Sequence, residues 1–74
     1  MSQESKKSER YFVRLLGTKK DRYVEFEFAI DSPELSVELL LPLDHFRDFC
    51  RRYQVEFLKP QPEAALAFER LTQQ

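Results

Sequence analysis

Val24, Phe26, Phe28 and Ile30 alternate with Tyr23, Glu25, Glu27 and Ala29 over one continuous stretch, Tyr23 to Ile30. A helix would scatter this apolar set around its circumference, whereas a strand puts all four side chains on one face. The stretch therefore reads as a half-buried central β-strand, and the rest of the chain reads as its cover.

Two flanking segments repeat the alternation. Tyr11, Val13 and Leu15 interleave with Phe12, Arg14 and Leu16, which predicts a first strand from about Arg10 to Leu16. Gly17-Thr18-Lys19-Lys20-Asp21 holds the only glycine and reads as the turn of an antiparallel hairpin. Asp31-Ser32-Pro33-Glu34 reads as a second turn, with Asp31 expected to bond its own backbone two residues on. A third strand follows from about Leu35 to Leu41, where Leu35, Val37, Leu39 and Leu41 share one parity and Leu40 intrudes on the other beside Ser36 and Glu38.

Pro42 stops strand pairing and suits the first turn of a helix. Beyond it, Leu43, Phe46, Phe49, Cys50 and Tyr53 fall at helical spacing and form one stripe. Asp44 lies near the helix start, Arg51 and Arg52 lie near its end, and Asp48 can pair with Arg52. Val55 to Leu58 reads as a short fourth strand. Pro62 to Leu71 reads as a short C-terminal helix with Ala64, Ala67, Phe68 and Leu71 on one stripe. The expected fold is a small α+β domain over residues 10–74: an antiparallel meander of three strands, a short fourth strand, one amphipathic helix packed on the core face and a short C-terminal helix. Residues 1–9 read as a flexible N-terminal arm.

Seventy-four residues make one domain with a thin core. A single cysteine excludes an internal disulfide, so self-association or a partner is the expected source of extra stability, and a homodimer is the expected state when alone. Twelve basic residues against 13 acidic ones, with no basic stripe, argue against nucleic acid and against a polybasic membrane anchor. The first nine residues lack the apolar region of a signal peptide, so a reducing cytoplasm is the expected setting.

No catalytic constellation stands out. Asp44, His45 and Asp48, with Cys50 nearby, are the only cluster of metal-type ligands, and they fall short of the three or four convergent ligands a metal site uses. Cys50 lies on the apolar stripe, and His45, five residues before it, faces elsewhere on a helix. A Gly-rich phosphate loop and a serine elbow are both missing. The outward parity of the sheet carries Phe12, Arg14, Leu16, Glu25, Glu27, Glu38 and Leu40. It reads either as a solvated face with a cross-strand charge ladder or as a docking or dimer face with an apolar centre at Phe12, Leu16 and Leu40.

Arg10-Tyr11-Phe12-Val13-Arg14, the strand Tyr23 to Ile30, Pro33-Glu34-Leu35, Val37-Glu38-Leu39, Leu41-Pro42, Phe46 and Phe49-Cys50 occur in an order that resembles the small auxiliary subunit of bacterial multicomponent phenol hydroxylases. The resemblance covers Arg10 to Val55. It implies a non-catalytic protein that binds no cofactor itself, docks on the oxygenase component of a diiron aromatic monooxygenase and assists assembly of the iron-loaded form. It also implies that the subunit is dispensable for turnover and inhibitory on the mature enzyme. Two further expectations are an effector that modulates the mature monooxygenase and an iron-carrying metallochaperone using Asp44, His45 and Asp48. An independent enzyme lacks any nucleophile–base pair to work with.

Overall fold

A computed structural model describes residues 9–73. The arm expected over residues 1–9 lies outside the described residues except for Glu9. Four strands and two helices follow in the order β1 (Tyr11–Lys19), β2 (Tyr23–Ile30), β3 (Ser36–Pro42), α1 (Leu43–Tyr53), β4 (Glu56–Phe57) and α2 (Pro62–Thr72). The sheet order is β3-β2-β1-β4, so the expected meander forms one side of the sheet and β4 closes the other.

The expectation of an all-antiparallel sheet needs one correction, because β4 runs parallel to β1, pairing Phe12 with Glu56 and Val13 with Phe57. The reason lies in the path of the chain. After β3, α1 carries the chain back along the sheet, so the strand that follows it runs in the same direction as β3 and β1. The Leu58 amide then donates to the Val13 carbonyl at 2.8 Å, extending that edge.

The β1–β2 turn is shorter than the sequence suggests. β1 continues to Lys19, so three residues, Lys20 to Arg22, connect the strands; Lys20 (φ 56°) and Asp21 (φ 49°) are left-handed, and the Arg22 amide donates to the Lys19 carbonyl at 3.1 Å. Two successive left-handed residues make a type I′ turn, whose twist matches the strands it joins. Gly17 lies inside β1 at a register shift: Leu15 faces Phe26, Gly17 faces Glu25, and Leu16 is the extra residue of a β-bulge.

The β2–β3 connection also differs in its bonding. The Asp31 carboxylate accepts from the Arg10 backbone amide at 3.1 Å rather than from its own backbone, while the Asp31 amide donates to the Arg10 carbonyl at 2.7 Å. It is the Ser32 hydroxyl that accepts from the amide two residues on, that of Glu34, at 3.3 Å.

Pro42 still pairs with Tyr23 and is the last residue of β3, not a helical residue. It also caps α1, with φ −57° and ψ 152° and no side-chain bond. The first helical amide, that of Leu43, finds the Arg22 carbonyl at 3.0 Å, so the neighbouring chain does the work of a capping side chain. At the other end Gln54 takes the left-handed conformation, and its amide donates to the Cys50 carbonyl.

Both helices cover one face of the sheet, α1 over β2 and β3 and α2 over β1. The core is Val13, Val24, Phe26, Phe46 and Leu71, joined by Leu15, Phe28, Leu39, Leu41, Leu43, Phe49, Cys50, Val55 and Phe68. Phe26 sits edge-to-face against Phe46 at 4.8 Å and Phe49 at 5.5 Å, and Phe46 meets Phe68 at 5.8 Å, which ties the two helices together.

Candidate docking surface

Among the described residues, no helix lies on the opposite face of the sheet. Its side chains form three rows across the strands, set by the register. One row is Glu56, Phe12, Ala29 and Ser36; the next is Arg14, Glu27 and Glu38; the third is Gly17, Glu25 and Leu40.

In the first row, Phe12 and Ala29 are buried although, among the described residues, no helix lies above them. The Arg10 guanidinium sits 5.0 Å from the centre of the Phe12 ring, as in a cation–π contact. It is held there by Glu56, which accepts from Nε at 2.9 Å and from Nη2 at 2.8 Å. This paired geometry raises the Arg10 pKa and lowers that of Glu56, in each case chiefly through the side-chain hydrogen bond. The sequence reading missed this clamp. Arg10 and Glu56 stand 46 residues apart, and no local pattern couples them.

In the second row, Arg14 Nε donates to Glu27 Oε1 at 3.1 Å. Glu27 faces Glu38 directly on its other side, and among the described residues no cation lies within ion-pair distance of Glu38. In the third row Lys19 reaches Glu25 at 3.9 Å, while Leu40 is open to solvent. The structure thus brings Arg14, Glu25, Glu27, Glu38 and Leu40 onto one face of the sheet, over which no helix of the described residues lies. Phe12 lies on the same face but beneath Arg10. Leu16, displaced by the bulge, borders a cleft with Gln61, Pro62 and Glu63 instead. The apolar centre expected from Phe12, Leu16 and Leu40 together is therefore reduced to Leu40 on the open surface.

On the helical face, His45 and Asp48 line a groove between α1 and the β3 edge, together with Leu41, Phe49, Arg52 and Tyr53. Asp48 accepts from Arg52 at 3.4 Å. Cys50 turns into the core, where burial pushes its thiol up to about 11. Among the described residues, no three His, Cys, Asp or Glu side chains converge as metal ligands would.

Comparison with known proteins agrees with the order of motifs. A family model described as phenol hydroxylase subunit matches residues 3–59, reaching into the N-terminal arm and past β4. The auxiliary component DmpK of phenol 2-monooxygenase from Pseudomonas sp. (strain CF600) is 46% identical over 44 residues, covering 60% of this chain and 48% of that protein. The chain therefore spans about half the length of the curated relative it matches. No solved structure matches.

Proposed function

This chain belongs to the phenol hydroxylase subunit family, and from that membership we propose that it is a non-catalytic auxiliary protein that docks on the oxygenase component of a multicomponent phenol hydroxylase. The observation that carries the reading is the sheet face over which no helix of the described residues lies, where Arg14, Glu25, Glu27, Glu38 and Leu40 stand in fixed register across β1, β2 and β3. Such a surface suits protein recognition. Its charges set orientation and its pre-formed strands cost little ordering on binding.

The mechanism is one of binding rather than chemistry. By docking on the iron-free oxygenase, the protein holds that partner in a conformation whose metal pocket is open to loading. It shifts the partner toward that state only by as much as it binds it in preference to the loaded form. In this reading iron is held by the oxygenase, and the groups of this chain contribute contacts and not ligands.

A titration of the co-encoded oxygenase, iron-free and iron-loaded in parallel, tests the proposal. Tighter binding to the iron-free form is expected, together with higher activity when iron is added in the presence of this protein. Reversing the one positive charge of the central row by Arg14→Glu is expected to weaken docking at least about thirtyfold, as for loss of a buried interfacial charge pair. Equal or tighter binding to the loaded form would sink the assembly role and leave an effector of the mature enzyme in its place.

A further inference from the structure

Among the described residues no strand pairs with the outer edge of β3, and apolar groups collect along it. Among the described residues, the large hydrophobic side chains most open to solvent are Ile30, Leu35, Val37, Leu40, Tyr53, Phe57 and Leu66, and three of these seven lie in β3 or immediately before it. Val37 is 58% exposed on the helical face of the sheet, and Leu40 is 47% exposed on the other. Edge strands are normally blunted by central lysines, prolines or bulges. In β3 such devices are limited to one charged residue, Glu38, and the terminal Pro42, and its ladder with β2 is unbroken from Ser36 to Pro42.

The sequence of β3 is self-complementary when reversed. With a two-fold axis through Leu39, the midpoint of Ser36–Pro42, Val37 faces Leu41, Leu39 faces itself, and Glu38 faces Leu40. Shifting the axis to Glu38 would set two carboxylates directly opposite each other, which is destabilising. Shifting it to Leu40 would leave Ser36 and Val37 outside the paired region. Only the axis at Leu39 pairs all seven residues of the strand and covers Val37 with the partner's Leu41, beside the groove of His45, Phe49 and Tyr53.

We propose that a second copy of this chain pairs antiparallel along β3 about a two-fold axis at Leu39, giving one continuous eight-stranded sheet with the two α1 helices on the same side. The two Glu38 carboxylates are then diagonal neighbours. Their repulsion and the small area of a single strand edge, below the roughly 800 Å² per partner of a standard interface, make this a weak dimer dissociating at micromolar concentration.

Sedimentation equilibrium and covalent trapping test the proposal together. The unaltered protein is expected to show a reversible monomer–dimer equilibrium, and Val37→Lys, at an exposed position that leaves the fold intact, to weaken it by at least about tenfold. In a Cys50→Ser background, the double change Glu38→Cys with Leu40→Cys is expected to give a covalent dimer under a mild thiol oxidant. Residues directly opposite in an antiparallel pair stand about 4.5–5.5 Å apart at Cα, within disulfide reach. A monomer at all concentrations up to about 0.5 mM would overturn the proposal. So would a dimer indifferent to Val37→Lys, or one that associates but does not cross-link at the paired cysteines. Monomeric protein whose binding to the oxygenase is lost in Val37→Lys would assign this edge to the oxygenase instead.

Discussion

Among the described residues, Cys50 is the one whose chemistry its surroundings alter strongly. Half-buried on the core side of α1, it is surrounded by side chains that cannot solvate a thiolate, and its pKa rises to about 11. The folded protein therefore holds this proton more tightly than the unfolded chain, whose thiol titrates near 8.5. Its contribution to stability is complete below about pH 8.5 and is lost as pH rises through about 11. We expect iodoacetamide to alkylate Cys50 at pH 8 at least about tenfold more slowly in the native protein than in urea; equal rates would place the thiol on the surface. Phe12 teaches a different lesson at the same scale. Its parity on β1 was legible from the alternation, but its burial was not, because the cover comes from Arg10, which is held by a carboxylate on the far strand. A pattern of period two assigns faces; it says nothing about which long side chain folds back over them.

The elements themselves were legible in proportion to their periodicity. β2 and the stripe of α1 stand where the alternation and the helical spacing put them. The direction of β4 was not legible, because two residues carry no period and their direction is set by the path of α1. The β1–β2 turn was placed around the only glycine, yet the left-handed positions went to Lys20 and Asp21, since a type I′ turn fits strand twist and aspartate tolerates that conformation. The end of α1 offers a test at this scale. Gln54 occupies a left-handed C-terminal cap (φ 51°, ψ 53°), where a side chain is strained and glycine is not. Gln54→Gly is expected to raise stability by about 0.5–1 kcal/mol in urea titration, with an unchanged slope. A loss of stability would show that the Gln54 side chain makes a compensating contact.

For the whole molecule, the governing fact is that one aromatic ring sits at the centre of a small core. Phe26 is fully buried beneath both Phe46 and Phe49, and a chain under about 80 residues seldom has more than 3–5 kcal/mol of stability to lose. Removing a buried Phe costs about as much, 3–5 kcal/mol, so Phe26→Ala is expected to abolish the cooperative thermal transition seen by circular dichroism at low concentration. A transition displaced by only a few degrees would mean that the core does not centre there. The handover from β3 to α1 sets a further condition on the molecule as a whole. Pro42 is at once the end of the strand and the cap of the helix, with no residue between them. The rotational phase of the helix is thus locked to the pleat of the strand. One residue inserted between Pro42 and Leu43 would turn the stripe of Phe46 and Phe49 by about 100° away from the sheet. This joint has no tolerance for changes in length, so the chain can vary in what it displays at that corner but not in how many residues it spends there.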